Sequence, residues 1–307
     1  MPESVRAALI APGPFDGVTA AAAGRPLVFA VRTDPGGTTG RVWDAASGVA
    51  IGAPIAGVPE PRAFGLLPDG PALAWSHRDR IRVLAGGGET VLEPERATPP
   101  ELIGLVVHGG RGAVAAVFGP ARDAEVVVWD AASGDRLAAF GAWLGDRTAL
   151  DGWILHAPPG TGPLIGLARD TDRGDGALRI GLWDVERGEE IGRVPGAGDG
   201  RPAIAAGPDG PIIVQPADGE VSVRAPGGPP AVLAAPGRPE QVAAVWCGGR
   251  LLVAADVPDD PGTLLTWCAP GPTRARRVRV PGRVNDFALA ADGALVVATD
   301  EGLHRIP

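Results

Sequence analysis

Short runs of alternating apolar and polar residues follow one another along the chain. One run, Ala124–Trp129, is followed by a turn of small residues and a second run, Arg136–Phe140. Alternation with period two on both sides of a short turn predicts a β-hairpin. Asp-Gly turns separate further pairs of apolar runs, at 68–70, 208–210 and 292–293. Asp accepts backbone hydrogen bonds and Gly adopts positive φ, so these turns predict more hairpins. The pattern predicts an all-β chain.

The chain also repeats itself. The stretch Arg41–Gly48 returns as Val128–Gly134 and, less closely, as Leu182–Gly188. When the third strand of each repeat is placed by the spacing of these stretches, the chain divides into seven repeats of roughly 44 residues. Each repeat has four strands, and all seven form a single domain. The approximate repeats are 18–57, 63–95, 101–141, 153–196, 202–235, 242–281, and 284–307 together with 5–10.

The last repeat has only three strands before the sequence stops. Val5–Ile10 precedes the first complete repeat and has no other partner. We therefore expect this N-terminal strand to pair with the C-terminal strand and to close a ring, because closure removes exposed sheet edges.

The Trp-Asp pairs and the Asp-Gly turns resemble the WD40 repeat family over essentially the whole chain. The resemblance implies a seven-bladed β-propeller of four-stranded antiparallel blades that serves as a protein–protein interaction scaffold. No Gly-His pair begins a repeat, and repeats two, five and seven lack the Trp, so the family's His–Ser–Asp–Trp network is incomplete. We interpret the repeat residues as structural, with Trp packed between blades and Asp capping the turn: Trp43, Asp44, Trp129, Asp130, Trp183, Asp184 and Trp267.

Composition and charge narrow the possible partners. The chain of 307 residues is 45% hydrophobic and 21% charged, which excludes general disorder. All 28 basic residues are Arg, and Tyr is absent, as in bacterial proteins from high-GC genomes. The net charge of -8 argues against binding to nucleic acid or to a membrane surface.

The N-terminus shows no leader pattern, and no apolar run reaches the length of a membrane span, so we expect a cytoplasmic protein. Cys247 and Cys268 lack metal-ligand spacing and are expected on the first and third strands of one repeat, too far apart for a disulfide. We expect no cofactor and no metal.

Charged residues recur in two sets of loops that emerge at the same end of the strands. The loops between repeats carry Arg62, Arg96, Arg147, Arg201, Arg238 and Arg283, and the turns between second and third strands carry acids that include Asp79, Asp123, Asp218 and Asp300. One interpretation is ion pairs between neighbouring repeats. The other interpretation is that these residues form a rim that recognises a partner. Trp143 and Trp153, in an insertion between repeats three and four, would then contribute to the same binding surface.

Signals for catalysis are weak, and we predict no catalytic residue. His77, His108, His156 and His304 fall in different repeats, and no glycine-framed nucleophilic Ser is present. The sequence favours a monomeric, non-catalytic scaffold that binds an unidentified protein partner through its loop face. The alternative is a small-molecule binding protein or a biosynthetic enzyme that uses the central mouth of the propeller.

Overall fold

Twenty-eight strands in seven four-stranded antiparallel sheets make up the described part of the protein. The computed structural model describes residues 7–21, 25–60, 62–95, 98–119, 124–142, 152–155, 164–169, 179–195, 202–225, 229–269 and 275–307. No helix occurs within these ranges. Accordingly, none of the described residues form a helix with the length and apolar character needed to cross a membrane.

The chain divides into two compact units, and the first consists of Met1–Gly57 and Gly198–Pro307. It contains four sheets, numbered here by the order of their first strands. Sheet I holds β2 (Gly17–Ala20), β3 (Leu27–Asp34), β4 (Gly37–Asp44) and β5 (Val49–Ala56); sheet V holds β18 (Ala203–Gly207), β19 (Gly210–Ala217), β20 (Glu220–Arg224) and β21 (Ala231–Ala234). Sheet VI holds β22 (Val242–Cys247), β23 (Arg250–Asp256), β24 (Thr263–Ala269) and β25 (Arg276–Arg279); sheet VII holds β26 (Val284–Leu289), β27 (Leu295–Thr299), β28 (Gly302–Ile306) and β1 (Ala8–Pro12).

The second unit, Val58–Ala197, contains the other three sheets. Sheet II holds β6 (Arg62–Leu67), β7 (Gly70–His77), β8 (Arg80–Ala85) and β9 (Gly88–Leu92). Sheet III holds β10 (Leu102–His108), β11 (Arg111–Phe118), β12 (Ala124–Asp130) and β13 (Arg136–Ala142); sheet IV holds β14 (Gly152–Leu155), β15 (Leu164–Arg169), β16 (Arg179–Asp184) and β17 (Glu189–Pro195).

The N-terminal strand completes the last sheet, as the sequence predicts. β1 pairs antiparallel with β28, with Ala8 opposite Arg305 and Pro12 opposite Gly302. Ala11 is buried in a core that sheet VII shares with sheet I. The first and last strands of the described chain therefore belong to one sheet.

Alternation along each third strand builds the core between neighbouring sheets. On β12, Val126 and Val128 pack into the core with sheet IV, whereas Val127 and Trp129 pack into the core with sheet II. Trp183 packs in the same way against sheet III, where its ring stacks on Phe140 with 6.1 Å between centroids.

The Trp-Asp turns share one geometry in all three copies. In the second copy the Asp130 Oδ1 accepts the backbone N–H groups of Ala132 and Ser133, each at 2.9 Å, and Gly134 N–H donates to the Asp130 carbonyl at 3.0 Å. Gly134 has φ of 77°, which glycine adopts readily because it has no Cβ atom. Asp44 and Asp184 accept the equivalent pairs of N–H groups in their own turns.

These turns also join neighbouring sheets. Thr90 Oγ1 on β9 donates to the carbonyl of Ala132 at 3.0 Å. A Cβ atom on Gly134 would lie 3.3 Å from the Thr90 Cγ2, and one on Gly188 would lie 3.1 Å from the Phe140 ring. Each turn thus packs closely on the outer strand of the preceding sheet.

The cysteines occupy the positions that the sequence predicts. Cys247 ends β22, the first strand of sheet VI, and Cys268 lies on β24, the third strand. Both thiols are free.

Candidate functional site

The loop face comprises the turns between second and third strands and the loops that connect one sheet to the next. In the first unit it carries Arg238, Asp218, Arg283 and Asp300, all exposed. In the second unit it carries Asp79, exposed in the turn between β7 and β8, and Arg62, half-buried at the start of β6. Arg62 therefore belongs to a strand, whereas the other residues named here lie in the turns and loops in which the sequence placed them.

Other predicted rim residues lie outside the described residues. They are Arg96, Arg147, Arg201, Asp123 and Trp143. Trp153 lies on β14, the first strand of sheet IV, and not in a loop.

Backbone hydrogen bonds fix the loop that leads into sheet VI. Gly219 N–H, in the turn of sheet V, donates to the Gly237 carbonyl at 2.9 Å. At the other end of the loop, Asp256 Oδ1 accepts the backbone N–H groups of Glu240 and Gln241, both at 2.9 Å. Burial raises the pKa of Asp256 against the opposing effect of these bonds. Arg238 projects from a loop that is held at both ends.

The loop that leads into sheet VII repeats this arrangement. Val280 N–H donates to the Gly262 carbonyl at 3.0 Å, as Ala235 N–H donates to the Gly219 carbonyl in the preceding loop. Arg283 N–H then donates to Asp300 Oδ1 at 2.8 Å. Gly282 has φ of 76°, and a Cβ atom there would lie 2.2 Å from the Asp300 carboxylate. Both loops place an exposed Arg directly after a glycine with positive φ.

Asp286 connects three sheets beneath these loops. It lies on β26 of sheet VII and accepts the backbone N–H of Val18 on sheet I at 2.8 Å. It also accepts a hydrogen bond from the side-chain amide of Gln241, next to sheet VI. The Asn285 side-chain amide donates to the carbonyl of Phe15 at 2.9 Å. The inner edge of the loop face in the first unit is therefore a fixed polar layer.

Two ion pairs on this face join residues that are close in the sequence. Arg62 bonds to Glu60, two residues earlier, at 2.9 Å, and Arg32 bonds to Asp34 at 3.0 Å. Asp300 contacts the backbone of Arg283, not its guanidinium group. One interpretation of the sequence expected Arg–Asp ion pairs between neighbouring repeats. The residues named here have other partners in the structure.

Arg78 adds a loop-face residue that the sequence reasoning missed. It lies in the turn between β7 and β8 with φ of 60°, and among the described residues it alone adopts positive φ without being glycine. An ordinary side chain in this conformation costs roughly 1–2 kcal/mol. One local feature of the sequence could have indicated this residue. The turn His77–Arg80 has no Gly, whereas the corresponding turns between second and third strands in other repeats contain one.

The roles of Asp256, Asp286 and Gln241 were also missed. Asp256 ends β23, Asp286 lies within β26, and Gln241 directly precedes β22. Their contacts include groups on other strands or in a loop, and these partners cannot be read from local sequence. The only available signal was a polar residue in or beside a largely apolar strand.

Histidines do not converge in the described structure. His77 is exposed at the end of β7, His108 ends β10, and His304 is buried on β28; His156 lies outside the described residues. Burial lowers the pKa of His304. The described ranges contain no cluster of three potential metal ligands.

Solved structures with similar folds span the whole chain at low sequence identity. A chain in the crystal structure of the mitotic checkpoint complex is 14% identical, with 99% of this chain and 91% of that chain covered and a TM-score of 0.64. The WD40 domain of Neurospora crassa Pan2 is 11% identical, with 96% and 90% covered and a TM-score of 0.60. A streptogramin B lyase structure is 12% identical, with 99% and 98% covered and a TM-score of 0.63.

The fold is a seven-bladed β-propeller. Neither a protein-family model nor a curated protein sequence matches the chain. Its propeller fold resembles those of WD40 proteins and also that of a lyase, so the fold by itself does not distinguish a scaffold from an enzyme.

Proposed function

We propose that the propeller is a non-catalytic module that binds a protein partner through its loop face. The observation that carries the proposal is the pair of equivalent loops at Gly237–Arg238 and Gly282–Arg283. Bonds to turns and carboxylates hold these loops before any partner arrives. Fixed loops lose little conformational entropy on binding, which favours recognition by a preformed surface.

Arg238 and Arg283 supply the binding chemistry on this face. Both are exposed, and guanidinium groups form paired hydrogen bonds with carboxylates and stack on aromatic rings. Arg is among the residue types that most often dominate the binding energy of protein interfaces. A partner that presents acidic and aromatic side chains would fit this surface.

Affinity capture with a matched control tests the proposal. The test variant carries Arg238→Ala and Arg283→Ala. The control carries Arg187→Ala and Arg250→Ala, the same change of charge at exposed positions at the opposite strand ends, with Arg187 in the turn between β16 and β17 and Arg250 at the start of β23. We expect the test variant to reduce recovery of a specific protein by about tenfold or more, and the control to leave recovery near that of the wild type.

Two results would contradict the proposal. One is undiminished recovery of every specific partner by the test variant. The other is an equal loss with both variants, which would indicate attraction by overall charge in place of a defined surface.

A further inference from the structure

A pocket lies between sheets II and III of the second unit, and the loop that connects these two sheets forms part of its lining. Its volume is about 190 Å³. Its lining includes Glu93, Glu95, Glu125, Trp129, Gly134 and Arg136. Sites for cofactors and drug-sized ligands usually measure about 300–1,000 Å³, so this pocket has the size for one side chain.

Strand geometry explains how the pocket forms. Glu125, Val127 and Trp129 alternate along β12 and share the face turned toward sheet II. The segment after β9 brings Glu93, Pro94 and Glu95 across from that face. At the floor, the rings of Phe118 and Trp129 meet edge to face with 6.1 Å between centroids. An apolar aromatic floor therefore lies beneath a carboxylate rim.

The pocket already accommodates a guanidinium group of the chain itself. Arg136 Nη1 lies 3.0 Å from Glu95 Oε1, and its Nη2 lies 3.8 Å from Glu125 Oε1. Glu93, the third carboxylate, lies 3.2 Å from Arg80, a residue that does not line the pocket. When Arg80 is counted with the lining residues, three carboxylates and two guanidinium groups leave these five residues with a formal charge of -1.

We propose that this pocket binds the guanidinium group of an arginine side chain from an extended segment of a partner protein. Forked N–H donors match the carboxylates, and a flat cation packs favourably over aromatic rings. A peptide arginine fits better than the free amino acid, because the free α-carboxylate would approach the exposed Glu93 and Glu95. This site uses neither Arg238 nor Arg283, on which the proposed function rests, and would stand if that proposal failed.

Titration of the full chain by NMR with a blocked arginine peptide tests the site. The probes are N-acetyl-Gly-Arg-Gly-amide, the same peptide with citrulline, and free L-arginine. Citrulline preserves shape and removes the charge. We expect saturable shifts of the Gly134 amide and the Trp129 indole with the arginine peptide, weaker binding of free arginine, and none with citrulline.

Matched variants distinguish binding in the pocket from attraction to the overall negative charge of the protein. Glu93 and Glu89 both pair with an arginine of β8, but only Glu93 lines the pocket. We expect Glu93→Gln and Glu95→Gln each to weaken binding about two- to fivefold, and Glu89→Gln to leave it unchanged. Arg136→Gln should strengthen binding, because it removes the competing guanidinium and leaves the carboxylates in place.

Several outcomes would overturn the site. They are the absence of saturable shifts, equal binding of the citrulline peptide, or a loss with Glu89→Gln as large as that with Glu93→Gln. Tighter binding of free arginine than of the peptide would refute the assignment to a protein segment.

Discussion

Trp183 offers a direct test of how neighbouring sheets are held together. It is 9% exposed, lies on β16 of sheet IV and stacks on Phe140 of sheet III. Its indole N–H is buried and has no hydrogen-bond partner among the described residues. The ring is therefore expected to stabilise the protein by packing, whereas its N–H group is expected to destabilise it.

Two substitutions separate these effects. Trp183→Ala removes the packing and should lower the free energy of unfolding by about 3–5 kcal/mol. For a chain of this length, that corresponds to a fall in melting temperature of about 5–8 °C. Trp183→Phe keeps part of the ring and removes the N–H, whose burial without an acceptor costs about 1–3 kcal/mol. The free energy of unfolding of this variant should stay within about 1 kcal/mol of the wild type, because the two effects oppose each other.

Urea unfolding and calorimetry of both variants provide the assay. Val232→Ala, at a residue that is 47% exposed on β21, serves as the control and should change the free energy of unfolding by less than about 0.5 kcal/mol. If Trp183→Phe destabilised the protein as much as Trp183→Ala, the indole N–H would have to contribute a favourable bond, and the reasoning would fail.

Deletion of residues 1–11 should lower the calorimetric melting temperature by more than about 5 °C, because it exposes the edge of β28. An unchanged melting temperature would show that pairing of β1 with β28 does not stabilise the protein. Arg78→Asn should raise the free energy of unfolding in urea by about 0.5–1 kcal/mol, since Asn tolerates positive φ, and no gain would show that the turn is unstrained. Gly134→Ala should lower that free energy by about 1–3 kcal/mol, and a neutral result would argue against the left-handed turn. A backbone bond from the turn, followed by an Arg side chain, lowers the pKa of Asp44 to about 2, so its stabilising contribution is complete above about pH 4 and lost toward pH 2. In Asp44→Asn, the free energy of unfolding should therefore fall less steeply with decreasing pH in that range. An identical dependence on pH would contradict the stabilising role of the Asp44 carboxylate.

Local features of the fold could be predicted from the sequence because their causes are local. The turn at Asp69-Gly70 needs only an acceptor and a residue with positive φ, and Gly70 has φ of 123°. The same holds for the Trp-Asp turns, whose hydrogen bonds span three or four residues. Counting strands per repeat then left one strand missing, which assigned the N-terminal strand to the last sheet.

The contacts on the loop face could not be predicted in this way. The sequence placed Arg283 and Asp300 at the same end of the strands, but the hydrogen bond between them uses a backbone N–H group. Asp286 binds Val18, which lies 268 residues away in the sequence. Such partners depend on how sheets pack, and spacing alone does not reveal them.

The arginine pocket was missed for a similar reason. Glu93, Glu95 and Glu125 are unremarkable charges in an acidic chain, and they face one pocket only when sheets II and III are side by side. Trp129 was interpreted from the sequence as a packing residue, and it does pack in the core of these sheets. The structure adds that the same ring forms the floor of a pocket.

Site-specific photo-crosslinking in the native cell tests the loop-face proposal most directly. A photoreactive residue at Asp218 would lie in an exposed turn of the loop face, and one at Arg250 would lie at the exposed start of β23, at the opposite strand ends of the same unit. We expect a discrete crosslinked protein from position 218 and none from position 250. A crosslink from position 250 alone would contradict the proposed function.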